Sequence, residues 1–217
     1  MNHRIVVLIS GGGSNLQAIL DAMAEGRLPA EVSLVVSNRS DAGGLDRART
    51  AGVPTAVVSH HDYPDRESFD QALIETIDPA KPHTVALAGF MRILTPAFVA
   101  HYRGRLLNIH PSLLPRHRGL HTHSRALEEG DEEHGCSVHF VTEELDGGPL
   151  VAQAPVPVHA NDTEASLSKR VGEREHQLYP LVLRWRAEGR LLLTENGAEL
   201  DGEPLGPGGV QMTADSL

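Results

Sequence analysis

The stretch LLNIHPSLLP at residues 106–115 sets an amide, Asn108, and an imidazole, His110, two positions apart at the end of an apolar run that proline then closes. In a strand, residues i and i+2 face the same way, so Asn108 and His110 project together while Leu107 and Ile109 face the opposite side. Pro111 biases His110 toward extended geometry and ends the run, which puts the pair at the carboxyl end of a strand, where parallel sheets bind ligands. An uncharged amide is a fixed donor for a developing oxyanion, and an imidazole moves a proton near neutral pH; together they suit attack on a carbonyl. A polar strand end without chemistry has the same appearance. A carboxylate would complete the set, and ELDGGPL offers Asp146. A neighbouring anion favours imidazolium and orients the ring, but an aspartate before two glycines also serves as a simple turn residue.

A second candidate is SGGGSN at residues 10–15, between an apolar β-branched run and a segment of helical spacing. A glycine-rich turn lets backbone N–H groups approach an anion, and the helix N-terminus adds favourable partial charge, so a phosphate suits it. A tight turn with Ser14 or Asn15 capping the helix is the other reading. The dinucleotide fingerprint is broken by Leu16 at its third glycine position and by Ser37 and Asn38 where an acidic residue belongs; no lysine precedes Ser14 as a nucleoside-triphosphate loop requires. AGFMRIL at residues 88–94 could line an apolar pocket for a flat ligand or simply start a helix. Thirteen histidines, with pairs at His60–His61 and His121–His123, raise a metal, yet neither H-E-x-x-H nor paired cysteines are present and none is expected.

The elements that must carry these residues alternate. RIVVLIS, VSLVVSN, PTAVVS, TVALAGF and GRLLNIH read as strands, with NLQAILDAMAEG, GGLDRARTAG, RESFDQALIETI and PAFVAHY as intervening helices. Strands apolar on both faces and separated by helices predict a doubly wound α/β fold, a mostly parallel sheet covered on both sides. Beyond residue 110 the reading gives a helix at THSRALEEG, antiparallel edge strands at GCSVHFVT and PLVAQAPVPV, and a long helix from about Glu164 to about Glu188. One domain over 1–200 is expected, with halves at about 1–105 and 106–200. The Gly- and Pro-rich segment 201–217 is expected to be a weakly ordered or surface tail.

Formal net charge is −10 and aromatics are only 4%, which argues against nucleic-acid binding. Cys136 is the sole cysteine, so no intrachain disulfide can form. No apolar run reaches roughly 18 residues, so neither a membrane span nor a signal segment is expected and the reading is cytoplasmic.

Taken jointly, VVLISGGGSNLQAI, LAGFMRIL, LLNIHPSLLP, GLHTHSRALEEGDEEHGCSVHFVTEELDGGP and REHQLYP resemble the phosphoribosylglycinamide formyltransferase family, over about residues 4–205. The resemblance implies transfer of a formyl group from 10-formyltetrahydrofolate to the glycine amine of 5-phosphoribosyl-glycinamide, in purine biosynthesis, by a monomer or homodimer and without a metal. It implies a catalytic set of Asn108, His110 and Asp146, and substrate phosphate and glycinamide contacts from Gly13, Ser14, Asn15 and Glu175. On the folate side it implies Arg66, Met91, Arg92, Ile93, Leu94, Asn108, Thr142, Glu143, Glu144, Leu145 and Asp146. Gly172 stands where some relatives carry a longer polar residue, and the varied RHRG segment at 116–119 is assigned nothing.

Rival readings are a formyltetrahydrofolate hydrolase, whose relatives add an N-terminal domain, and a methionyl-tRNA formyltransferase, which adds a C-terminal one. A nicotinamide-dependent oxidoreductase and a ligand sensor without turnover complete the set.

Overall fold

The computed structural model describes residues 2–213 and Ser216. The chain begins β1 (His3–Ile9), α1 (Ser14–Ala24), β2 (Ala30–Ser37), α2 (Gly43–Thr50), β3 (Thr55–Val57), α3 (Arg66–Ile77), β4 (Thr84–Leu87), α4 (Pro96–His101) and β5 (Leu106–His110). It continues with α5 (Thr122–Glu128), β6 (Glu133–Phe140), β7 (Leu150–Pro157) and α6 (Glu164–Ala187), then β8 (Leu191–Thr194), β9 (Gly197–Leu200), β10 (Glu203–Pro204) and β11 (Val210–Gln211).

The main sheet has the order β11-β7-β6-β5-β4-β1-β2-β3. Strands β1 to β5 are mutually parallel, and β6 and β7 return antiparallel, as expected. Alternation along β1 divides the core. Ile5, Val7 and Ile9 pack with α1, α2 and α6, while Val6 and Leu8 pack with Phe69, Leu73 and Ile77 of α3 and Phe98 of α4. Strands that are buried on both faces must be apolar throughout, which is why these runs are continuous.

Chain order reverses between β1 and β4: β2 and β3 extend to one side of β1, β4 and β5 to the other. Such a switch point opens a crevice at the carboxyl ends of the strands, and the loops after β1, β4 and β5 all emerge there. Ser10 ties two of them together. Its N–H donates to the Gly89 carbonyl at 3.1 Å, and its hydroxyl oxygen accepts from the Met91 N–H at 2.8 Å.

Two features differ from the sequence reading. Strands β8, β9 and β10 form a separate antiparallel sheet. The 201–217 segment, expected to be weakly ordered or at the surface, is largely exposed over its described residues but contributes β11, a parallel partner for β7, and Met212 is buried. Its glycine content is a packing requirement at Gly209, which has φ 63° and whose Cβ would sit 2.6 Å from the Val151 backbone. No helix among the described residues is long and apolar enough to cross a membrane.

Candidate active site

Asn108 and His110 end β5 and pair across the antiparallel β5–β6 ladder with His139 and Ser137. Each side chain is fixed by a neighbour. His139 is almost wholly buried and donates from Nδ1 to the Phe140 carbonyl at 3.0 Å. Burial pushes its pKa down to about 4, so the ring is neutral and Nε2 carries a lone pair. The Asn108 amide nitrogen lies 3.1 Å from that Nε2 and donates to it. The amide orientation is thereby set, with its second N–H left for a ligand.

The ring of His110 is equally constrained. Nε2 lies 3.0 Å from the His117 carbonyl, which can only accept, so Nε2 carries a proton. Nδ1 therefore faces the Asp146 carboxylate, with Oδ2 at 3.6 Å. Asp146 adopts φ 48°, an unusual conformation for a non-glycine residue. It is held there by the Gly119 N–H donating to Oδ2 at 2.9 Å. Gly148, two positions on, passes so close to the Phe140 carbonyl that any Cβ would overlap it, which makes glycine obligatory in the 142–149 loop. The predicted amide, imidazole and carboxylate thus meet, with His139 as a fourth member.

At the switch point, Gly13 is the N-cap of α1 with φ 73° and no side-chain cap, so Ser14 and Asn15 are not the capping residues that one reading allowed. The helix N-terminus leaves leading N–H groups for an anion instead. A Cβ on Gly13 would stand 2.6 Å from Gly44 Cα, so α2 packs directly on the loop. Arg47 of α2 donates from Nε to the Gly12 carbonyl at 2.7 Å. Asn15 instead donates from Nδ2 to Glu175 of α6 at 3.3 Å, and its Oδ1 is buried without a partner among the described residues. Burial pushes the Glu175 carboxyl up to about 7. The phosphate-loop and glycinamide candidates are therefore in contact. Gly172 faces open space.

On the opposite flank, Arg66 donates to the carbonyls of Ile93 and Leu94 at 2.8 and 3.3 Å. The Arg92 guanidinium stands over the Phe69 ring, 5.8 Å from its centroid. Met91 and Ile93 on the loop after β4, Leu120 on the loop after β5 and Leu145 on the loop after β6 are each at least half exposed, bare apolar side chains of the kind a flat, partly apolar ligand covers. Thr142, Glu143 and Glu144 lie in the loop between β6 and β7, and Glu144 pairs with Arg118. Leu120, Ser10 and His139 are the residues that sequence reasoning missed.

Metal-ligating types gather, among the described residues, at His117, Glu129 and Asp131. The Arg116 guanidinium already pairs with both carboxylates, so that cluster holds its own cation.

A helix terminus without a side-chain cap, an amide beside an imidazole and a carboxylate, and exposed apolar loop residues on one doubly wound sheet suit a group-transfer enzyme acting on carbonyl carbon. Residues 3–183 match the formyl transferase family, and the chain belongs to it. It is 59% identical over 205 residues to the phosphoribosylglycinamide formyltransferase of Escherichia coli (strain K12), covering 94% of this chain and 97% of that protein. The Haemophilus influenzae protein of the same name is 48% identical over 202 residues, 93% of this chain and 95% of its own length. The solved structure of phosphoribosylglycinamide formyltransferase from Coxiella burnetii is similar with a TM-score of 0.94 at 51% identity, covering 97% of this chain and 99% of that one.

Proposed function

We propose that the chain transfers the formyl group of 10-formyltetrahydrofolate to the glycine amine of 5-phosphoribosyl-glycinamide, giving formylglycinamide ribonucleotide and tetrahydrofolate in de novo purine biosynthesis. The observation that carries this reading is the convergence of the Asn108 amide, His110 Nδ1 and the Asp146 carboxylate at one end of β5. The α1 terminus without a side-chain cap follows β1, and the exposed Met91, Ile93 and Leu120 stand on the loops after β4 and β5.

In this reading Gly13, Ser14 and Asn15 hold the substrate phosphate and Glu175 the glycinamide. Arg66, the 91–94 segment including Arg92, and the 142–146 loop surround the folate. The amine attacks the formyl carbon, and the tetrahedral oxyanion accepts hydrogen bonds from the free Asn108 N–H and from His110 Nδ1–H. With Nε2–H committed to the His117 carbonyl, a proton on Nδ1 makes the ring imidazolium, and the Asp146 carboxylate stands 3.6 Å from that nitrogen. Asp146 takes the proton that the attacking amine loses. Collapse then breaks the bond to the folate nitrogen, which receives that proton back from Asp146, so that the carboxylate is restored. All of these groups come from one chain, so a monomer or a homodimer serves equally, in the cytoplasm with its small-molecule substrates and without nucleic acid, membrane or metal.

The test is loss of the formyl donor by absorbance, with and without phosphoribosyl glycinamide. Loss that depends on the glycinamide supports the transferase. Equal loss without it points to a hydrolase, and no loss at all overturns the formyl chemistry.

A further inference from the structure

The segment 116–119 touches both members of the reacting pair on their far sides. The His117 carbonyl accepts from His110 Nε2 at 3.0 Å, and two residues on, the Gly119 N–H donates to Asp146 Oδ2 at 2.9 Å. His117 itself has φ 51°, a left-handed conformation that a β-carbon makes unfavourable, so something must hold it. Its own ring does so. The side chain is 2% exposed, and Nε2 meets Asp131 Oδ2 at 2.7 Å. Asp131 is equally buried and also takes the Arg116 guanidinium. On the other side of the ring, Nδ1 lies 3.7 Å from Glu129 Oε1, and the His134 ring packs edge-on at 5.9 Å.

We infer that His117, anchored by Asp131, is a positioning residue: it fixes the carbonyl that keeps His110 protonated at Nε2, and so makes Nδ1 the nitrogen presented to Asp146 and the substrate. This rests on the reading of His110 and Asp146 as the reacting groups. Carbonyl oxygen cannot donate, so while the segment holds, the neutral His110 ring has only the Nε2–H tautomer open to it. When the segment loosens, both tautomers become available and Asp146 loses its backbone donor. The wrong tautomer turns an Nε2 lone pair toward the His117 carbonyl, and the repulsion swings the ring and carries Nδ1 out of register with the Asn108 N–H.

His117→Ala and His117→Gln are made in the full chain, with turnover and the ¹⁵N shifts of His110 as readouts. The glutamine amide can still donate to Asp131; alanine cannot. The expected result for His117→Ala is a kcat lowered roughly ten- to a hundredfold, as for a misplaced reacting group, with both KM values within about twofold. The ¹⁵N shifts of neutral His110 should move from Nε2–H toward a mixture of tautomers, and His117→Gln should recover most of kcat. Wild-type kcat in folded His117→Ala overturns the inference. So does a lowered kcat with the tautomer unchanged, or a glutamine variant no better than alanine. Should His117→Ala not fold, Asp131→Ala is held to the same two readouts. The tautomer is read without catalysis, so a His110→Ala variant that still turns over would overturn the functional reading and leave the tautomer result standing.

Discussion

His139 stands directly across the antiparallel β5–β6 ladder from Asn108, its lone-pair nitrogen 3.1 Å from the amide. A protonated His139 would repel that N–H, so the buried, neutral ring is what decides which end of Asn108 faces the crevice. His139→Ala removes the acceptor and frees the amide to flip. The expected outcome is a kcat lowered by about 10 to 100-fold with little change in KM for the phosphorylated substrate, measured by steady-state kinetics.

Burial makes the ionisation of Glu175 costly. Its carboxyl is pushed up to about 7 by burial, against about 4.3 in an unfolded chain. A raised folded value means that the stability present at low pH is lost as pH rises through 7. Glu175→Gln keeps an acceptor for Asn15 and removes the ionisation. It should be more stable than the parent by on the order of 2 to 3 kcal/mol at pH 8, with the difference vanishing near pH 4. Urea denaturation across that range checks this, and the same variant should raise KM for the glycinamide.

Gly13 combines φ 73° with contact against Gly44. Gly13→Ala is strained in both respects and must push α2 from the loop. We expect a loss of roughly 1 to 3 kcal/mol in thermal or chemical denaturation. KM for the phosphorylated substrate should rise more than kcat falls.

His134 is buried beside His123 and His117, and desolvation lowers its pKa to about 4. A depressed histidine is neutral in the fold but charges in the unfolded chain as pH drops below 6.5, so stability falls between pH 6.5 and 4. Glu175 runs the opposite way, so the quantity to measure is the difference between parent and His134→Gln. That difference should shift in favour of the glutamine variant by up to about 3 kcal/mol as pH falls from 7 to 4.

Much of this molecule could be read from its residues because its parallel strands are buried on both faces. Runs such as Ile5 to Ile9 must then be apolar and end in glycine or proline. The i, i+2 rule put Asn108 and His110 on one face, and β5 keeps them so. What was hidden depends on register and distance. His139 is 31 positions from Asn108, in an apolar strand where a histidine carries no periodic signal, and only the β5–β6 register brings it opposite. The reach of Asp146 depends on a left-handed backbone and on Gly119. Gly/Pro content made 201–217 read as weakly ordered or superficial and hid the short strand at Val210–Gln211, where Gly209 is needed for close approach to β7. The β8–β9 hairpin turns on Glu195 and Asn196, a pair without the Asn-Gly or Asp-Gly signature of a two-residue loop, because Gly197 already pairs with Thr194.

The most direct test of the whole account is formyl transfer by Asn108→Ala, with a ¹³C-formyl donor and mass detection of label on the glycinamide. Removing one oxyanion donor should lower label transfer by about 100 to 1,000-fold while binding of the phosphorylated substrate is kept. Near-normal transfer by a folded Asn108→Ala enzyme, with chemistry rate-limiting, would contradict the assignment of the site.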